Sequence, residues 1–75
     1  MRLKWYAPKY SWRHSGYLVT KQGELLIGEI RRQGLGYWEA SMGALPNRNM
    51  IGQGYRSWQA ARKAVEEAFE EALSS

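Results

Sequence analysis

Basic and aromatic residues interleave at the start of this chain: Arg2, Lys4, Lys9 and Arg13 alternate with Trp5, Tyr6, Tyr10 and Trp12. Guanidinium and ammonium groups neutralise phosphates, and flat indole and phenol rings stack on bases or wedge open a groove, so the pattern carries the chemistry of nucleic-acid binding. Arg2, Lys4, Trp5, Lys9, Trp12 and Arg13 are therefore candidate contact residues. A competing use of the same rings is structural, because large aromatics are mostly buried. On that reading Trp5, Tyr6 and Tyr17 complete a core too small to close with aliphatics, and Trp38 and Trp58 are core residues.

Catalysis is thinly provided for. Aspartate is absent, His14 is the only histidine, and Glu66, Glu67, Glu70 and Glu71, four of the seven glutamates, crowd into one C-terminal stretch. Two-carboxylate mechanisms, nucleophile–base–acid triads and histidine-rich metal sites all need titratable groups converging from several parts of a chain. His14 beside Ser15 lacks a third partner to orient its imidazole and reads as an ordinary loop residue. No catalytic residue, metal ligand, cofactor or small-molecule substrate is expected, and the chain reads as a non-enzymatic protein. Absence of cysteine removes disulfides, thiolate chemistry and cysteine-bearing zinc motifs. No apolar run exceeds three residues, so neither a membrane span nor a secretory signal is expected, and the expected location is the cytoplasm.

Charge is distributed unevenly. Residues 1–23 carry five cations and no acid, whereas residues 57–75 carry two cations and four acids, within a formal net charge of +4. A basic, aromatic front and an acidic back suit an anionic partner at one end.

The elements that must position these residues follow from local pattern. Pro8 interrupts the first stretch and Ser15-Gly16 closes it, which predicts an arm or short edge strand over 1–15. Tyr17-Leu18-Val19-Thr20, a turn at Gln22-Gly23, and Glu24 to Arg31 predict a hairpin. After a second turn at 33–36, Tyr37 to Met42 alternates Trp38, Ala40 and Met42 against Tyr37, Glu39 and Ser41, the clearest strand signal in the chain. Residues 43–49 read as a loop and Met50 to Tyr55 as a short last strand. Ser57 can cap a helix over about Trp58 to Leu73, whose apolar stripe is Trp58, Ala61, Val65, Ala68, Phe69 and Ala72. With 75 residues there is material for one core only. The expected fold is α+β: three or four antiparallel strands over 16–55, with one C-terminal helix over 57–73 laid on one sheet face.

The stretches Gly36-Tyr37-Trp38-Glu39-Ala40-Ser41-Met42 and Met50-Ile51-Gly52-Gln53-Gly54-Tyr55-Arg56-Ser57, followed by the alanine-rich helix from Ala60 to Glu66, resemble the AP2-type fold. That fold is shared by plant transcription factors and integrase arm-binding domains, and the likeness extends to small uncharacterised phage and bacterial proteins. It covers about residues 24–72. The resemblance implies that the sheet face opposite the helix enters the DNA major groove. If Trp38, Ala40, Met42 and Ile30 face the helix, the other face presents Tyr37, Glu39, Ser41, Glu29 and Arg31. Arg31 is then the cation carried onto DNA.

Two functions remain open from the sequence. The basic pI favours a nucleic-acid-binding module that uses the N-terminal region. The mixed, partly acidic sheet face favours a protein-interaction module, such as a phage-type accessory or inhibitor protein.

Overall fold

A computed structural model of the chain describes residues 3–9, 11–34, 36–43 and 49–74. Five strands run in sequence order, β1 (Lys4–Tyr6), β2 (Arg13–Thr20), β3 (Gly23–Gln33), β4 (Tyr37–Met42) and β5 (Asn49–Tyr55), followed by α1 (Trp58–Ser74). They form one antiparallel sheet in the order β1-β2-β3-β4-β5, and α1 packs across β3, β4 and β5. The α+β class and helix-on-sheet arrangement agree with expectation, but the sheet has five strands rather than three or four. The additional strand is the N-terminal edge strand, which the sequence left open between an arm and a strand. In the same region, β2 begins at Arg13 rather than at Tyr17, so the hairpin runs four residues longer than its β-branched and aromatic segment suggests.

Alternation fixes the sidedness. Ile30, Trp38 and Ala40 from the sheet meet Ala61, Val65 and Phe69 from α1, with Leu3 closing the same core and Leu18, Ile27, Met42, Ile51 and Tyr55 packed at its margin. A bulge opposite Gly16 and Tyr17 leaves Ile27 as the extra residue of β3, which lets Ile27 and Ile30 both serve the core. The helix can lie close because β3 offers no side chain at its crossing point. A Cβ on Gly28 would stand 2.8 Å from Val65 Cγ1 and 2.6 Å from the Ser41 carbonyl oxygen. Val65 is accordingly fully buried, a contribution of roughly 1.5–3 kcal/mol from removing its side chain from water.

The Ser57 hydroxyl accepts a hydrogen bond from the Ala60 N–H at 3.1 Å, the N-cap geometry that the sequence predicts. Along the helix the apolar stripe is narrower than expected. Ala61, Val65 and Phe69 are buried, but Trp58 is 39% exposed and Ala72 is exposed, so Trp58 is not a core residue. Trp58 precedes the core's first helical contact by a full turn, where the sheet beneath is capped by His14 rather than by aliphatic side chains. Among the described residues, no helix is long and apolar enough to cross a membrane. Most of the loop expected over 43–49, together with Arg2, lies outside the described residues.

Candidate nucleic-acid interface

The turn that links β1 to β2 is built by short-range hydrogen bonds. The Ser11 N–H donates to the Pro8 carbonyl at 2.9 Å, and the Ser11 hydroxyl donates to the Arg13 carbonyl at 2.9 Å while accepting from the Arg13 N–H at 3.1 Å. Trp12 follows, and its carbonyl accepts from the Arg32 N–H at 2.8 Å. This last bond extends the β2–β3 ladder by one step and fixes the backbone of a tryptophan whose side chain is 71% exposed. An apolar ring of this size left in water at a strand end contributes little to the fold.

Trp12 stands at an open cleft of about 670 Å³ on the sheet face away from α1. Tyr6, Ser15 and Tyr17 line it together with Arg13, Arg31 and Arg32, and Pro8 and Ser11 form the end nearest the turn. The tyrosine wall is internally braced. Tyr6 and Tyr17 meet edge to face with ring centroids 5.2 Å apart, and the Tyr6 hydroxyl donates to the Glu24 carboxylate at 2.8 Å. Lys4 joins the same carboxylate at 3.2 Å. The Tyr6 hydroxyl, then the Lys4 ammonium, hold Glu24 below the usual carboxylate range.

The arginines have the less settled arrangement. Arg13 on β2 lies directly opposite Arg31 on β3, and like charges at directly opposed positions destabilise an antiparallel pair. Arg31 has a counter-ion in Glu39, at 3.9 Å across the β3–β4 ladder. Neither Arg13 nor Arg32 pairs with a carboxylate among the described residues.

The sequence-predicted contact residues therefore divide. Trp12, Arg13 and Arg31 come together in the cleft. Lys4 lies beside it, over the Tyr6 ring at 5.2 Å and already paired with Glu24. Lys9 is exposed in the turn. Trp5 points the other way, against α1. Its indole lies over Gly16, where a Cβ would come within 3.0 Å of the ring, and its Nε1 donates to Glu66 at 3.4 Å. Arg62 stacks on it at 5.1 Å. Trp5 thus closes the helix side of the sheet, in line with the structural reading of that residue. Arg32, Tyr6 and Tyr17 belong to the cleft although the sequence did not nominate them as contacts. Hairpin counting from the turn at Gly23 would have set Arg13 opposite Ile30; only the extra residue Ile27 at the bulge moves it opposite Arg31.

The acidic character expected of this sheet face is not present as a surface. Glu29 and Glu39 do lie on the side away from the helix, but they are only 8% and 6% exposed, and Ser41 beside them is buried. Alternation gives the direction of a side chain and not what covers it. The two carboxylates are internal groups, one of them satisfied by Arg31.

His14 also differs from its loop assignment. It sits on β2 opposite Ile30, is buried, and packs against Trp38 at 4.9 Å and Trp58 at 5.8 Å between ring centroids. Arg62 donates to its Nδ1 through Nε at 3.2 Å, and its guanidinium stacks on Trp58 at 4.4 Å. Burial, and then the adjacent Arg62 charge, push the imidazole below its usual pKa, so His14 is neutral at pH 7 with its proton on Nε2. Its role is to satisfy Arg62. No group of three or more histidine, aspartate or glutamate side chains converges as a metal site among the described residues. No family model, curated protein or solved structure matches this chain.

Proposed function

We propose that this protein is a small, non-enzymatic nucleic-acid-binding module whose contact surface is the arginine and aromatic cleft on the sheet face away from α1. The observation that carries the reading is the Arg13–Arg31 juxtaposition, with Arg32 beside it and Trp12 held at the rim. A cross-strand pair of like charges costs stability, and the cost is recovered when an anion bridges the two. Repeated phosphates supply such anions, and exposed rings beside them supply stacking for bases. Cations on the face opposite the helix also match what the AP2-type resemblance implies, and kinship with that fold is part of this proposal. The protein-interaction alternative drew its support from Glu29 and Glu39 as an outward acidic face, and both are buried.

The test is salt dependence. Arg13 and Arg32 are the arginines to neutralise, because removing Arg31 would leave Glu39 buried without its partner. In the Arg13→Gln/Arg32→Gln variant, loss of two phosphate contacts should flatten the slope of log affinity against log salt by about 1.4–1.8. Micromolar protein that retains no DNA or RNA at low salt would sink the proposal.

A further inference from the structure

Resting on the nucleic-acid reading, we infer that the cleft takes single-stranded nucleic acid, with an unpaired base stacked on Trp12 and the adjoining phosphates on Arg13, Arg31 and Arg32. The shape of the surface decides the form. Proteins read a duplex by inserting a convex element, a helix or a β-ribbon, into a groove about 12 Å or 6 Å wide. Here the arginines line a recess instead, bounded on one side by the Tyr6–Tyr17 wall and at one end by Pro8 and Ser11.

At about 670 Å³ the recess lies within the range of clefts that hold small organic molecules. It can admit a base and its sugar-phosphate, and it is too small to enclose a paired and stacked helix. The backbone bond from the Arg32 N–H to the Trp12 carbonyl fixes the Trp12 main chain at the mouth beside the arginines, so stacking and phosphate contact can be made by one nucleotide and its neighbour. Because the backbone that carries the ring is already ordered, only the ring's own rotamers remain to be fixed when the base arrives. Every base has a face to stack, and none of the lining groups presents the fork of donors and acceptors of an asparagine or glutamine. Ser15 offers a hydroxyl that serves any base edge, while the Ser11 hydroxyl is committed to the Arg13 backbone. The expected preference is therefore for strandedness rather than for sequence, with DNA and RNA single strands sharing the same chemistry.

Fluorescence anisotropy with the full chain tests this, using labelled mixed-sequence DNA and RNA single strands and the matching duplexes at low salt. Single strands should bind more tightly than the duplexes. Trp12→Ala should weaken single-strand binding about 5- to 150-fold, the worth of one base stack, and leave duplex binding unchanged. Trp12→Phe, which keeps a stacking ring, should recover a large part of the loss. Melting temperature should not move in either variant, since the ring is 71% exposed. Duplex binding as tight as single-strand binding, or a Trp12→Ala variant that binds single strands normally, would overturn the single-strand assignment and leave the nucleic-acid reading in place. Absence of binding to every strand would overturn both.

Discussion

If Arg13 is retained for binding and not for folding, neutralising it should make the protein more stable. Arg13 and Arg31 are Cα partners in the β2–β3 ladder, and their side chains rise from the same face of the sheet. Directly opposed charges influence stability by about 0.2–1 kcal/mol, unfavourably when they are alike. Glu39, 3.9 Å from Arg31, already offsets part of the repulsion, which moves the expected relief to the lower part of that range, about 0.2–0.5 kcal/mol. For a domain of this size that is a rise in Tm of roughly 1–4 °C. Arg13→Gln tests it cleanly, because the Arg13 hydrogen bonds to Ser11 use backbone groups and survive the substitution. Arg13→Lys is the control: it keeps the charge and most of the aliphatic stem, so it should show no rise. Thermal unfolding followed by circular dichroism should show the gain at low ionic strength and its disappearance near 1 M salt, where the Debye length shrinks to about 3 Å. A lower Tm for Arg13→Gln at low salt would refute the reasoning, since the arginine would then be supporting the fold.

Two further outcomes concern the helix side of the sheet. Phe69→Ala should cost about 3–5 kcal/mol by emptying a buried core position, a drop in Tm of roughly 12 °C or more, and an unchanged Tm would remove the helix-on-sheet packing. His14, held neutral by burial and by Arg62, makes stability pH-dependent: full stability above the ordinary imidazole value of about 6.5, then a decline as pH falls from there through the lower folded-state value. While the folded imidazole stays neutral and the unfolded one takes up a proton, the decline is at most about 1.4 kcal/mol per pH unit, and urea titrations at several pH values should find it in the wild type and not in His14→Gln.

Much of the fold is legible because local pattern and tertiary demand agree. The strict alternation of Tyr37 to Met42, the glycine turn at Gly23 and the Ser57 cap each specify one geometry, and each is realised. The N-terminal third was harder because its signals are non-local. Gly16 looks like the end of an element, yet it lies inside β2, where its missing side chain makes room for the Trp5 indole from the neighbouring strand. That requirement is invisible until the two strands are paired. The same pairing hides half of the candidate site. Arg13, Trp12 and Arg32 are brought together only when the hairpin is extended past the glycine, and then Trp5, identical in kind to Trp12 and seven residues away, falls on the opposite face. Residue type alone could nominate both tryptophans; what separates them is that Trp5 is paired inside the sheet over Gly16, whereas Trp12 lies just before β2 at the rim of the cleft.

Folding also sorts the charges between the two sides of the sheet. On the helix side the cations have partners: Lys63 reaches Glu67 at 3.9 Å, and Arg62 is shared among His14, Trp5 and Trp58. The outward carboxylates of α1 lie on that side too, Glu67 and Glu71 among them. On the far side, Lys4 is neutralised by Glu24 and Arg31 by Glu39, while Arg13 and Arg32 remain without a carboxylate among the described residues. Two arginines without a carboxylate partner among the described residues therefore meet at the cleft. A polyanion approaching the helix meets carboxylates, and one approaching the cleft meets uncompensated guanidinium groups next to an exposed ring. Such a field orients the protein during encounter, before any contact forms. The five-stranded sheet thus acts as a partition: one face holds the helix, and the other carries the cleft at which the proposed nucleic-acid ligand would meet Arg13 and Arg32.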